Sequence, residues 1–249
     1  MTEIRRQRRA PLPIVAARQI EKVFYTGGEP VHVLKQVDLS IPAGQFVAIM
    51  GKSGSGKSTL LYLLGGLDRP SSGAIRVAGE RLEAPSSDDL AAFRRHTVGF
   101  VFQSYYLVPT LTALENVALP GVFAGMSRDE REARAAYLLA RLHMSDRADH
   151  RPKQLSGGQQ PRVAIARALF NNPPIIMADE PTGALDTEIG QDVLRLLREL
   201  ATREHRTVIV VTHDPGIEQF ADRVIHLRDG QVVADTMTSV RQREKHDVA

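Results

Sequence analysis

A chain of 249 residues with 43% hydrophobic content can bury a substantial core, as one large domain or two small ones, which excludes disorder throughout. It has no cysteine, which excludes disulfides and thiolate metal sites and suits a reducing cytosol. The formal charge of +3 is accounted for by Arg5, Arg6, Arg8 and Arg9 against Glu3, so the body is near neutral and lacks the clustered cations of a broad nucleic-acid footprint.

Residues 1–13 read as a basic, disordered tail that ends at Pro11 and Pro13 and could touch anionic lipid at roughly 1 kcal/mol per basic residue. No apolar run follows its charges, so a signal peptide is not expected. Residues 14–25 and 31–41 alternate loosely around Gly27-Gly28-Glu29-Pro30 and predict an antiparallel hairpin. Phe46-Val47-Ala48-Ile49-Met50 is a continuous apolar run of the kind buried as a strand, with an apolar helix expected over 59–64. Strands follow at 74–78 and 97–102. Residues 97–114 lack charge, but Gln103, Ser104 and Pro109 interrupt them, so no membrane span is expected.

From 104 to about 160 the pattern turns helical, with Leu111, Leu114 and Val117 on one face, then Ala133, Ala136, Tyr137, Leu139, Ala140 and Leu142 after Ser127. This predicts a helical subdomain inserted into a domain spanning 14–238. Apolar strands return at 175–178 and 208–211 with a helix at 188–201 between them, which is a strand, helix, strand unit. Strands at 223–227 and 231–234 flank Asp229-Gly230, and 239–249 is a polar tail. The fold class is therefore α/β, with a mainly parallel core sheet, an antiparallel layer and the helical insertion. No internal repeat is found, so one functional site per chain is expected.

Three local patterns carry chemistry. Gly51-Lys52-Ser53-Gly54-Ser55-Gly56-Lys57-Ser58 has the spacing of a phosphate loop between a strand and a helix. Its glycines let successive N–H groups point inward, Lys57 would reach the β and γ phosphates, and Ser58 would hold Mg²⁺. The strand ending in Asp179-Glu180 puts two carboxylates beside that loop, Asp179 toward the metal and Glu180 toward an attacking water. Leu155-Ser156-Gly157-Gly158-Gln159 precedes an apolar helix at 163–169. Ser156 reads as its N-cap and the glycines would admit an anion, which makes a second phosphate-reading helix terminus in one chain.

The phosphate loop, Gln103 after a strand, Leu-Ser-Gly-Gly-Gln, Asp179-Glu180, Ala184-Leu185-Asp186 and His213, in this order over residues 14–235, resemble the ATP-binding subunit of an ABC transporter. Phe102-Gln103 with the segment from Leu111 to Val117, and the segment from Ala178 to Asp186, resemble more narrowly the lipoprotein-release and macrolide-exporter branch, which includes cell-division relatives. The resemblance implies a P-loop, Mg²⁺-dependent ATPase that forms a homodimer around two ATP molecules and drives a separate multi-spanning membrane permease. It would then sit peripherally on the cytoplasmic face of the inner membrane.

On the same grounds ATP would be held by residues 51–58 with Thr59, and by Leu155, Ser156, Gly157, Gly158 and Gln159 of the opposite copy. Lys57, Gln103, Glu180 and His213 would be catalytic, with Ser58, Gln103 and Asp179 at the metal, Asp186 signalling across the interface and His213 meeting the γ-phosphate. An aromatic residue should stack on adenine, and Lys22-Val23-Phe24-Tyr25 offers Phe24 and Tyr25, with the spacing from Lys22 favouring Phe24. Tyr105, Tyr106 and Leu107 form a candidate groove for the permease. Pro161 departs from the family pattern. With Ser156 as N-cap it would crowd the Gly157 carbonyl at up to roughly 3 kcal/mol, unless the helix starts nearer Gln160.

Two rival readings remain. A soluble relative acting in nucleic-acid repair or translation would usually bring a coiled coil, a zinc insert or a second ATPase unit, and no nucleic-acid partner is expected here. A phosphate-loop kinase would leave 155–159 unexplained.

Overall fold

The computed structural model describes residues 13–240. Apart from residues 13, 239 and 240, the tails expected at 1–13 and 239–249 lie outside the described residues. The chain begins with two long antiparallel strands, β1 (Val15–Thr26) and β2 (Glu29–Ile41). Gly27 and Gly28 close them with φ of 61° and 88°, the left-handed values that a two-residue hairpin turn requires. The turn is tighter than the sequence suggests, because Glu29 and Pro30 already pair with Thr26 and Tyr25. Strands β4 (Ser72–Val77) and β5 (Glu80–Arg81) extend this sheet in the order β2-β1-β4-β5.

The second sheet is built on β3 (Phe46–Met50), β6 (Val98–Val101), β7 (Ile175–Asp179), β8 (Thr207–Thr212), β9 (Arg223–Arg228) and β10 (Gln231–Met237), in the order β10-β9-β3-β8-β7-β6. All neighbours are parallel except β9 and β10. Its central strands are buried on both faces because alternate side chains enter two different cores. Phe46, Ala48, Ile176, Ala178, Val208 and Val210 pack toward one side with α3 (Ala113–Phe123), α4 (Arg128–Arg141), α5 (Gln159–Ala168) and α6 (Thr187–Thr202). Val47, Ile49, Ile175, Met177, Ile209 and Val211 face the other, where α1 (Lys57–Leu64) lies between the two sheets. Each fully buried Val, Ile, Met or Phe among them contributes roughly 1.5–3 kcal/mol, which favours the register that keeps these runs inside.

Three helices start with reciprocal caps: Ser86 with Asp89 at α2 (Ser87–Thr97), Thr112 with Glu115 at α3, and Ser127 with Glu130 at α4. The first of these helices was not expected from the sequence, and it takes Thr97 out of the strand foreseen at 97–102. No strand interrupts the chain between β6 and β7, where α3, α4 and α5 pack on one another. The face expected for α4 is corrected. Ala135, Leu138, Leu139 and Leu142 are buried, whereas Ala133, Ala136, Tyr137 and Ala140 are exposed. Alanines line both stripes, and a methyl group is too small to decide which stripe turns inward; the two leucines at 138 and 139 decide it.

Candidate functional site

The parallel strands end together. Met50 at the tip of β3 is opposite Thr212 at the tip of β8, and Asp179 at the tip of β7 is opposite Val211. Loops leaving these tips enclose an open cavity of about 920 Å³, lined by Gly51, Lys52, Ser53, Gly54, Gly56, Lys57, Ser58, Thr59, Gln103, Glu180 and His213, with Val33 and His226 at its rim. Ligand sites at the carboxyl ends of parallel strands are the rule for such sheets. The loop itself needs its glycines. Gly56 has φ of 98°, and a Cβ there would meet the Val33 carbonyl oxygen at 2.9 Å; one on Gly51 would meet the Leu227 oxygen at 2.2 Å.

The Lys57 side chain is buried and donates from Nζ to the Lys52 carbonyl at 3.0 Å, which holds the ammonium along the loop. Ser58, in the first turn of α1, donates from Oγ to Asp179 Oδ1 at 2.8 Å. One helical turn later, Tyr62 donates its hydroxyl to Asp179 Oδ2 at 2.7 Å. Burial, followed by the Asp179 carboxylate, holds the Tyr62 phenol well above its ordinary range. A hydroxyl, a carboxylate and the nearby Gln103 amide form an all-oxygen donor set suited to a hard cation. Among the described residues no cluster of three or more acids and histidines could hold a metal alone. A cation here would therefore need oxygens from a ligand or from water.

Glu180 adopts φ of 46°, an uncommon conformation for a non-glycine residue, worth of order 1–3 kcal/mol of strain. Its carboxylate is held at both oxygens: Thr212 donates from Oγ1 to Oε2 at 3.0 Å, and His213 Nδ1 lies 3.0 Å from Oε1. The Asp214 N–H donates to the same Thr212 hydroxyl at 3.1 Å, so the loop after β8 fixes the direction of the Thr212 proton. Gln103 follows β6 and reaches the turn after Glu180, where a Cβ on Gly183 would lie 3.0 Å from its Nε2.

Tyr105, Tyr106 and Leu107 do not form one exposed groove. Tyr105 is buried with its hydroxyl 3.3 Å from the Pro181 carbonyl oxygen, and burial pushes its phenol up to about 12. Tyr106 is exposed on the rim of a second cavity of about 540 Å³, with Phe100, Phe102, Leu119, Pro120 and Phe123. The loop is pinned from behind by Arg167, whose guanidinium donates to the Tyr105 and Tyr106 carbonyls. Buried Asn116 holds its far end through the Val108 N–H and three carbonyls.

The other expected residues lie elsewhere. Leu155 is buried, Ser156 and Gly157 are exposed, and none of residues 155–159 lines the cavity of their own chain. Ser156 is not the N-cap of α5. The helix begins at Gln159 behind Gly158, without a side-chain cap, and the Gln159 amide oxygen instead accepts the Ser156 N–H at 3.0 Å. Pro161 is thus the third residue of α5; the Gln160 N–H already bonds back to the Ser156 carbonyl at 3.2 Å, so the proline stands where the next bond, to the Gly157 carbonyl, would fall. Asp186 caps α6 by accepting the Ile189 N–H at 3.0 Å, and Ile189 and Leu185 lie beside Gly158 and Gly157. Phe24 and Tyr25 alternate on β1 outside the cavity; the Lys22 ammonium lies 4.8 Å from the Phe24 ring centre. Sequence reasoning missed the roles of Tyr62 and Thr212, although one is a hydroxyl four residues after Ser58 and the other follows the Val/Ile run 208–211.

Known proteins resemble the chain in sequence and in fold. The family pattern described as ABC transporter matches residues 34–183. The macrolide export ATP-binding/permease protein MacB of Nitrosomonas europaea is 54% identical over 234 residues, covering 94% of this chain and 35% of that protein. MacB of Bradyrhizobium diazoefficiens is 56% identical over 226 residues, covering 91% and 34%. The chain thus spans about a third of the length of these relatives. Among solved structures, the ATP-binding cassette MJ0796, dimeric in a post-hydrolysis state with ADP and Pi, superposes with a TM-score of 0.83 at 46% identity, covering 90% of this chain and 98% of that one. CbiO1 of Clostridium perfringens, part of the ABC transporter complex CbiONQ, gives 0.81 at 29% identity, covering 95% and 93%. No described helix is long and apolar enough to cross a membrane.

Proposed function

The chain belongs to the ABC transporter family as an ATPase cassette, and from that premise we propose that two copies close around two ATP molecules. Each nucleotide would lie in the 51–59 loop of one copy and against the 155–159 turn of the other. The observation that carries this reading is the split between them: a phosphate-loop, carboxylate and hydroxyl edge on one side, and an exposed Ser-Gly corner that does not reach its own cavity. The dimeric state of MJ0796 supports the same arrangement.

In this reading the loop N–H groups and Lys57 bind the phosphates, and Ser58, Asp179 and Gln103 hold Mg²⁺. The cation would neutralise charge on the β and γ oxygens as the terminal phosphoryl leaves. Glu180 receives a proton from the attacking water. Thr212 keeps that carboxylate aimed while His213 turns its second ring nitrogen outward, toward the γ-phosphate. Nδ1 faces Glu180, which leaves Nε2 as the ring nitrogen for the phosphate. Asp186, at the base of the 155–159 turn, would carry the closure to the other copy, and Phe24, chosen by its spacing from Lys22, would be the ring that stacks on adenine.

The names of the MacB relatives favour a macrolide-exporter-like branch, with the helical insertion at 104–160 passing the movement to a membrane permease on the cytoplasmic side. Tyr106 and the apolar rim around Phe123 are the surface left for that contact, since Tyr105 is buried. The test is Glu180→Gln. The variant is expected to bind ATP, remain dimeric by light scattering in ATP and Mg²⁺, and lose turnover by about 10²- to 10⁴-fold. A variant that hydrolyses ATP at the parent rate, or never leaves the monomer, sinks the reading.

A further inference from the structure

The Asp179 carboxylate is held by two hydroxyls from one helix, and only Ser58 belongs to the expected loop. Tyr62 stands four residues further along α1, on the same face, and its hydroxyl meets Asp179 Oδ2 at 2.7 Å while Ser58 holds Oδ1 at 2.8 Å. The Tyr62 ring is fixed as well. It meets the edge of Phe102 at 6.4 Å between centroids and 61° between planes, and Phe102 in turn stacks on Phe100 at 5.5 Å and 10°. The clamp therefore rests on the strand that leads into Gln103.

We propose that Tyr62 is a positioning residue for the divalent cation: its hydroxyl fixes the Asp179 carboxylate in the one orientation that presents the Ser58 oxygen and the opposite carboxylate edge to the metal. This rests on the Mg²⁺-ATP reading above. Two physical consequences follow from the geometry. A carboxylate with one strong donor on each oxygen has lost the freedom to rotate about its Cβ–Cγ bond, so its ordering is complete before a cation arrives. The hydroxyl takes one lone pair of Oδ2 as Ser58 takes one of Oδ1, and the remaining acceptor sites of the carboxylate are left for a cation or its waters. Partners of this outer kind orient ligating carboxylates, and removing them typically weakens metal binding by about 10- to 100-fold.

Tyr62→Phe removes only the hydroxyl and keeps the ring against Phe102. The test measures Mn²⁺ binding by electron paramagnetic resonance in the complex with a non-hydrolysable ATP analogue, alongside analogue binding in excess EDTA by calorimetry and a thermal melt by circular dichroism. The expected result is a Mn²⁺ affinity about tenfold weaker than the parent, with analogue affinity in EDTA within about twofold and a cooperative melt retained. Equal or tighter Mn²⁺ binding overturns the proposal and leaves the ATPase reading standing. Loss of analogue affinity in EDTA also overturns it, since Tyr62 would then support the phosphate loop rather than the carboxylate. If the parent itself shows no analogue-dependent Mn²⁺ site, the ATPase reading fails and this inference with it.

Discussion

The two halves of the proposed nucleotide site differ in how finished they are. The edge formed by Ser58, Asp179 and Glu180 is assembled within one chain: Asp179 is buried, both carboxylates have a partner on each oxygen, and parallel strand register sets their spacing. The corner at 155–159 is exposed at Ser156 and Gly157 and opens α5 without a side-chain cap. A buried polar network requires complete satisfaction, because an unpaired buried group costs about 1–3 kcal/mol. An exposed helix start can leave its N–H groups to water until an anion arrives. On the proposed reading, the difference means that the chemistry is stored in one copy and its trigger would lie in the meeting of two.

Breaking the exposed half should have the largest effect that leaves the assembled half untouched. Ser156→Arg places a long cation where the other copy's phosphates would approach, far from the chain's own cavity. ATP binding to the isolated chain is expected to stay within about twofold, while turnover falls by about 10²-fold or more, the loss typical when a preorganised anion contact is removed. Nucleotide titration and a phosphate-release assay on the same preparation separate the two. Lost ATP binding would mean that the corner serves its own chain.

Weakening the assembled half gives a smaller, graded loss. Thr212→Val removes the hydroxyl that the Asp214 N–H orients and that reaches Glu180 Oε2. A hydrogen bond to a charged group is worth about 1.5–3 kcal/mol, so kcat is expected to fall by roughly tenfold with KM for ATP little changed. A KM that rises with kcat constant would show that Thr212 acts on nucleotide binding, and the comparison would need redrawing.

The same division governs what the sequence discloses. Glycine spacing and the apolar strand ending in Asp179-Glu180 were legible because steric and burial demands leave few alternatives: only glycine fits φ of 98° at residue 56. The parallel core and the first hairpin were legible for the same reason. What escaped depends on tertiary context. Tyr62 and Thr212 carry their meaning through the neighbours they touch, the inward face of α4 turned on leucine against alanine, and the start of α5 depended on a serine that takes no cap bond. The helix at 87–97 was missed although Ser86 and Asp89 stand at capping-box spacing before Leu90 and Phe93.

The smallest predicted effect sharpens the comparison at the exposed half. Pro161 is buried as the third residue of α5, in the first turn, where proline is best tolerated although it leaves out the bond to Gly157 that would follow the one from Gln160 to Ser156. If the ring strained the turn, Pro161→Gln would raise stability. Placed without strain, proline instead narrows the unfolded ensemble, and its replacement is expected to lower stability by about 0.4–1 kcal/mol while turnover per folded molecule stays within about twofold. Chemical denaturation gives the sign and steady-state ATPase gives the rate. A stabilised variant with faster turnover would mean that the corner is held back by its own proline, so that the less finished half of the site is restrained as well as exposed.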